Sequence, residues 1–325
     1  IYCNCDDPFE SNFFRYFVLN FNNLGLKQLI TTSYKPSPVA NTQLQLFGND
    51  KTLPKSKGRP KITANKFIIN EVHDIDDDGE FNLKDVAKQL KVNKHNEWTP
   101  LEGDGDFRSD ECIKLLKQSD IVATNPPFSL FREYLKQLMD YNKKFVIIGN
   151  MNAITYKEIF PLIKDNKMWL GNGFHAGNAY FSTPLAKEYG EGVYMPETGL
   201  VKFRNVCWFT NLDHGRRHQP LPLMTMEENL KYSKHKEIKG KKAYDKYDNY
   251  DAIEVSFTDA IPSDYNGVMG VPISFLDKYN PDQFEIVGNA DDKDYYIPVF
   301  GKYKGRILIE NKQPFKRIFI KHKKK

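Results

Sequence analysis

The sequence predicts an α/β fold, a doubly wound and largely parallel sheet followed by an irregular C-terminal region. Short strand-like runs alternate with helical stripes through the first half of the 325 residues. The runs Ile121 to Thr124 and Phe145 to Ile148 are uninterrupted apolar stretches, as strands covered on both faces require. Beyond about Asp213 the helical stripes give way to a stretch rich in Lys, Tyr and Asp.

Taken in order, Tyr2 to Cys5 opens the first strand. Ser11 to Leu24 places Phe14, Phe17, Val18, Phe21 and Leu24 at helical spacing, and Gly25 ends that helix. Leu29 to Ser33 is a second strand, Lys35 to Lys61 a Pro- and Lys-rich surface insertion, and Phe67 to Val72 a return to strand. Ser109, followed by Asp110 and Glu111, starts a helix bearing Ile113, Leu115 and Leu116. The strand Ile121 to Thr124 runs directly into Asn125, Pro126, Pro127 and Phe128, after which Leu130, Phe131, Tyr134, Leu135 and Leu138 form one helical stripe. Further on, Gly171 to Gly199 reads as loops around a strand at Ala179 to Ser182, and Val201 to Asn211 as another strand. There is no internal repeat.

Hydrophobic residues make up 40% and charged residues 27%, with a mean hydropathy of -0.60, which excludes a wholly disordered chain. The length allows two domains, which we expect at residues 1–212 and 213–325. No apolar stretch approaches the roughly 18 residues of a membrane span, so no membrane partner is expected. The cysteines Cys3, Cys5, Cys112 and Cys207 lack paired zinc-site spacing and point to a reduced, cytoplasmic setting. Strand alternation would put Cys3 and Cys5 on one face as small buried hydrophobes. No signal peptide opens the chain, and its start on a strand-like run without Met leads us to expect residues upstream of Ile1.

The net charge is +5 and the pI 8.7, but the cations are unevenly spread. Gly301 to Lys325 holds ten Lys or Arg against the single acid Glu310, a local balance of +9. With Phe300, Tyr303, Phe315 and Phe319 among them, these cations suit a polyanion; a solvated terminal strand with a frayed Lys end is the alternative. Lys231 to Tyr250 adds seven Lys against Glu237, Asp245 and Asp248.

The four residues from Asn125 to Phe128 carry the most chemistry. They leave the carboxyl end of a parallel strand, the edge at which open α/β sheets bind ligands. The two prolines stiffen the loop, so the Asn125 side chain and the Pro126 carbonyl are aimed in advance. Two oxygens held in that way accept both hydrogens of an exocyclic amine and favour a pyramidal nitrogen whose lone pair attacks a methyl donor. Phe128 can stack on the base that bears the amine.

This tetrapeptide matches the (N/D)PP(Y/F/W) signature of class I amino-methyltransferases, and the wider chain resembles the EcoRI-type adenine-specific DNA modification methylases. The resemblance rests on IYCNCDDPFESNFFRYF from Ile1, EGDGDFRSDE from Glu102, NPPFSLFREYL from Asn125, FVIIGN from Phe145 and RNVCWFTNLDHGRRHQPL from Arg204. It covers the chain to about Leu221 and, more weakly, the rest. It implies a Rossmann-like methyltransferase sheet with a C-terminal DNA-recognition region, S-adenosylmethionine as cofactor and double-stranded DNA as substrate. It also implies methylation of the adenine N6 amine within a restriction-modification system, whose cognate restriction endonuclease acts on the same site without a stable complex. Asn125, Pro126, Pro127 and Phe128 then become catalytic. Asn4, Cys5, Asp6 and Asp7, after the first strand, would contact the methionine part of the cofactor, although that loop lacks the usual GxG. Asp106 and Phe107 would meet the cofactor's adenine, with Asp104 assisting, and Asn125 borders the same cofactor. The alternatives for this chain are methylation of RNA adenine or of a protein glutamine amide, both of which use the same tetrapeptide, and a nucleic-acid-binding protein that keeps the cofactor fold without turnover.

Two patterns stand apart. Asp74, Asp76, Asp78 and Asp85 occupy positions 1, 3, 5 and 12 of a twelve-residue loop with Gly79 at position 6, which resembles a calcium loop; an acidic solvated turn is the alternative. His214, Arg216, Arg217 and His218 cluster beside Asp213, as backbone-phosphate contacts, structural ion pairs or an acid-base or metal site. Trp208 is expected in the core.

Overall fold

A computed structural model describes residues 1–6, 11–35, 64–75, 82, 85, 86, 88, 89, 95–172, 178–183, 186–290, 300, 301 and 304–323. The chain is a mixed α/β protein of two compact units, Ile1–Gly149 and Asn150–Lys325. Among the described residues no helix is long and apolar enough to cross a membrane.

The first unit is built on six neighbouring strands: β1 (Tyr2–Cys3), β2 (Leu29–Thr32), β3 (Asn65–Ile69), β4 (Glu97–Pro100), β5 (Ile121–Thr124) and β6 (Lys144–Asn150). Their spatial order is β4-β3-β2-β1-β5-β6. The four strands from β2 to β6 are mutually parallel, whereas β3 and β4 add an antiparallel edge. The expected parallel sheet is thus a mixed one. The burial patterns explain the division. β2 is buried at all four positions, while β3 alternates and β4 is mostly exposed, as a strand near or at an edge can be.

Helix α1 (Asn12–Leu19) is capped by Ser11, whose hydroxyl accepts from the amides of Phe13 and Phe14. It is shorter than its apolar spacing predicts. The Asn20 side chain bonds the Tyr16 carbonyl, and a turn then carries the chain to Gly25 at φ +62°. Phe21 is nevertheless buried beside Phe14, Val18, Cys3, Leu29 and Ile69. Helices α2 (Asp110–Gln118) and α3 (Phe131–Asp140) begin where Ser109 and the proline pair predict.

The second unit contains an antiparallel pair, β7 (Trp169–Leu170) with β11 (Val206–Thr210), and a three-stranded sheet of β8 (Asn178–Phe181), β9 (Tyr194–Met195) and β10 (Leu200–Arg204). The single strand expected from Val201 to Asn211 breaks in two at Asn205, where φ is +57°. The region expected to be irregular holds a four-stranded sheet of β12 (Ala252–Glu254), β13 (Val268–Pro272), β15 (Arg317–His322) and β14 (Phe284–Asn289), in that order. Tyr247, Tyr250, Val268, Ile307 and Phe319 pack together in its core.

One glycine fixes a loop that bears on function. Gly105 has φ +81°, and a Cβ there would lie 2.0 Å from the Ser33 carbonyl oxygen. The backbone of residues 104–106 is thereby pressed onto the end of β2, an approach also held by Lys35 N–H donating to the Asp104 carbonyl at 2.8 Å. Gly105→Ala combines a left-handed φ with a backbone clash, and should destabilise the protein by roughly 2 kcal/mol or more. A lowered urea midpoint at unchanged slope is the expected readout; a midpoint equal to wild type would show that the loop moves aside freely.

Candidate active site

β1 and β5 are parallel neighbours with Tyr2 opposite Val122, so the loops leaving them start side by side, Asn4 level with Thr124. The strand β1 ends at Cys3, and Cys5 takes the left-handed region at φ +63°. Cys5 therefore lies in a turn, and the same-face arrangement of Cys3 and Cys5 expected from strand alternation is not formed. All four thiols are free; Cys3, Cys112 and Cys207 are buried and Cys5 is half-buried. Burial pushes each thiol above its ordinary range.

The turn is tied from three directions. Thr32 Oγ1 donates to Asn4 Oδ1 at 3.0 Å, and Thr31 Oγ1 donates to the Asp6 carbonyl at 2.9 Å. Ser11 Oγ donates to Asp6 Oδ1 at 3.1 Å while capping α1. The Thr124 hydroxyl, fully buried, donates toward both Asp6 Oδ2 at 2.5 Å and the Asn4 carbonyl. Asn4 and Asp6 are thus buried at 2% and 7% exposure and engaged by protein, which makes them supports of the turn; Cys5 is its more open member. Asp7 lies outside the described residues.

The Asp104 to Phe107 segment is similarly braced. Asp104 Oδ1 accepts from Asp106 N–H, and Asp106 accepts from Arg108 N–H at 2.8 Å. The Arg108 guanidinium grips the Asp106 carboxylate in two-point fashion at 2.9 and 2.7 Å, holding it below the usual carboxylate range, and reaches Glu133 at 3.1 Å. Phe107 is buried edge-on against Tyr134, with centroids 4.9 Å apart.

The Asn125 side chain is exposed where β5 ends. Pro126 is buried and Pro127 sits at φ -62°, ψ 122°, with its carbonyl accepting from Leu130 N–H, so the loop is locked at both ends. Phe128, 44% exposed, begins a single 3-10 turn leading into α3.

These residues leave acceptors and donors to spare for a bound molecule. A carboxylate offers about four acceptor positions, and Arg108 fills three at Asp106. The Tyr134 hydroxyl is buried without a hydrogen-bond partner among the described residues, within electrostatic reach of Cys5 and Asp6. An orphaned hydroxyl of that kind fits a site whose ligand or ordered water completes it. Thr124, Thr31, Thr32, Arg108 and Tyr134 were not singled out as site residues by the sequence. Only Thr124 carried a signal, its place directly before Asn125.

The acidic loop does not assemble a calcium site among the described residues. Asp85 is fully buried, and its two carboxylate oxygens accept backbone N–H groups of Ile75 at 3.2 Å and Asn82 at 2.9 Å. Those bonds spend the position-12 ligand on closing the loop. Asp76 and Asp78 lie outside the described residues, Asp74 is described without a metal-like cluster around it, and no group of three His, Cys, Asp or Glu suited to a metal occurs among the described residues. The His214 to His218 cluster is knitted into its own unit. Arg216 pairs with Asp277 at 2.7 Å, His218 lies 2.7 Å from Asp213 and 3.4 Å from Asp282, which raise its imidazole, and Arg217 lies 3.8 Å over the Trp169 ring. Trp208 is half-buried.

Thr124→Val removes the donor facing a buried carboxylate at constant shape, and should cost about 1–3 kcal/mol. Thr124→Ser keeps the hydroxyl and should recover most of it. Equal urea midpoints for Val and Ser variants would contradict the hydrogen-bond account.

A family model described as adenine-specific methyltransferase EcoRI matches residues 1–323. The chain is 44% identical to the Type II methyltransferase M.EcoRI of Escherichia coli, an alignment covering 100% of this chain and 86% of the relative. It is 38% identical to M.MgeORF184P of Mycoplasma genitalium and 33% identical to M.MpnI of Mycoplasma pneumoniae, both Type II methyltransferases, over 88% of this chain and 74% of each relative. No solved structure matches. With the Asn125-Pro126-Pro127-Phe128 loop at the end of a parallel strand and the match running almost end to end, the chain belongs to the EcoRI family of adenine-specific methyltransferases.

Proposed function

We propose that the protein methylates the N6 amine of adenine in double-stranded DNA at a specific sequence, within a restriction-modification system whose cognate endonuclease reads the same site. The observation that carries the reading is the exposed Asn125, held between buried Thr124 and buried Pro126 where the strand next to β1 ends. The parallel strands β2-β1-β5-β6 serve as the Rossmann-like, doubly wound core of the methyltransferase domain, residues 1–212. Residues 213–325 serve as the DNA-recognition region.

S-adenosylmethionine, when bound, supplies an electrophilic methyl group on a sulfonium. Cys5 and the Asn4–Asp6 turn would hold its methionine part, and Asp106, with its remaining acceptor position, would take its adenine amine; Asp104 supports Asp106 by accepting its backbone N–H. The target adenine leaves the DNA stack at a cost of roughly a few kcal/mol, and Phe128 offers a ring for it to stack on. The Asn125 side-chain oxygen and the Pro126 carbonyl accept the two amine hydrogens, which frees the lone pair for attack and stabilises the positive charge that develops. The methylated nitrogen sheds its proton afterwards, so no buried general base is needed.

Methyl transfer from labelled cofactor to duplex DNA, RNA and protein, measured side by side, tests the reading; label in RNA or protein with none in DNA would overturn it. Asn125→Ala should lower the rate of DNA methylation by on the order of 10²–10³, leaving cofactor affinity near wild type, because it deletes one preorganised acceptor. Rates within twofold of wild type would remove Asn125 from the chemistry. Asp106→Ala should weaken cofactor binding by about tenfold or more in calorimetric titration while changing DNA affinity little. Unchanged cofactor affinity would place the adenine pocket elsewhere.

A further inference from the structure

Among the described residues two phenylalanines are exposed, Phe128 at 44% and Phe315 at 89%. Phe128 belongs to the amine site. Phe315 has no role in the core, unlike Phe300 and Phe319. Phe319 is fully buried and Phe300 packs against the same cluster.

A bare phenyl ring on a frayed end would mean little, since isolated surface apolar residues are common. The Phe315 backbone is held from below instead. Arg317 Nη1 donates to the Phe315 carbonyl at 3.2 Å and the Lys316 carbonyl at 3.3 Å. The rest of that guanidinium is locked to Glu254 at 2.6 and 2.9 Å, a buried pair that the Tyr247 hydroxyl also joins. The approach to Phe315 is fixed as well. Asp248 accepts from the Glu310 and Asn311 amides, and the Asn249 amide bonds the Lys304 and Arg306 carbonyls. Residues 304–316 are therefore a braced arm that presents an apolar ring to solvent. Lys304, Arg306, Lys312 and Lys316 are exposed along it, and Lys316 Nζ reaches Thr155 Oγ1 at 3.4 Å, next to the exposed ring of Tyr156. Glu310 is the single acid among them.

An aromatic ring on a braced backbone, flanked by exposed cations, complements duplex DNA, whose base steps can be parted by an apolar wedge between rows of phosphate. We propose that Phe315 is a wedge that stacks against bases of the DNA duplex, with Lys312 and Lys316 neutralising neighbouring phosphates. The inference rests on the DNA-methylating reading above and adds to it a contact outside the amine site. It also divides the labour within the arm: the ring contributes affinity that salt does not screen, and the lysines contribute affinity that salt does.

The test uses the full chain and a duplex substrate, titrated at several salt concentrations. Phe315→Ala should lower DNA affinity at least about fivefold with an unchanged slope of log affinity against log salt. The pair Lys312→Gln with Lys316→Gln should flatten that slope by about 0.9 for each phosphate no longer neutralised. Cofactor affinity should stay at the wild-type value in all three. Phe315→Trp should keep DNA affinity, and its added fluorescence, over the three native tryptophans, should be quenched by DNA as stacking requires. Wild-type affinity in Phe315→Ala, or unquenched emission from Phe315→Trp while that variant is DNA-bound, would overturn the wedge and leave DNA methylation by the wild type standing. A wild type that neither binds nor methylates DNA would overturn both.

Discussion

The carboxylate of Asp6 is buried at 7% exposure, and four separate pieces of chain meet on that one residue. Its own loop after β1 is one, and Ser11 brings the start of α1, Thr31 the end of β2, and Thr124 the end of β5. Burying a carboxylate without partners is costly, and the Ser11 and Thr124 hydroxyls face this one while Thr31 holds the Asp6 backbone carbonyl. The dependence runs both ways: the hydroxyls hold Asp6, and Asp6 holds the ends of two parallel strands at one level. Because Thr124 directly precedes Asn125, the place of the exposed Asn125 is set partly by Asp6, a residue of the loop after β1. The loop after β1 and the loop after β5 are consequently a single mechanical object, and a change in the first would be felt at Asn125.

What could be read from the sequence, and what could not, follows from the range of the interactions. β5, its proline pair and the Ser109 cap are local features, and the structure places them where spacing and side-chain chemistry put them. α1 stops five residues before its predicted end because Asn20 turns its amide back on the Tyr16 carbonyl, while Phe21 and Leu24 keep an apolar spacing that no longer reports a helix. The role of Asp6 was hidden for another reason. Its partners Thr31 and Thr124 lie 25 and 118 residues away, and although Thr124 stands directly before Asn125, nothing local ties either residue to Asp6. The four-stranded sheet of the second unit was missed on the same ground. β12 pairs parallel to β13, and β13 then pairs with a strand some 50 residues later, so no hairpin signal announces it.

Counting charge was informative and also misleading. The C-terminal segment is strongly basic, yet Arg317, one of its ten cations, is sequestered by Glu254 and takes no part in any outward field. The acidic loop shows the converse. Asp85 looked like a ligand by position, and the structure uses it to accept two backbone amides. In both cases the sign of the charge was plain from the sequence, and its burial was not.

The state of the cysteines has a practical side. Three of the four thiols are buried, the fourth is partly covered, and burial disfavours the thiolate in each. Maleimides and iodoacetamides react with thiolate, so the native chain presents them with little to modify near neutral pH. A single cysteine introduced on an exposed arm would therefore take a fluorophore or spin label almost alone. The enzyme comes already suited to site-directed spectroscopy, without the cysteine-stripping that so often perturbs a core.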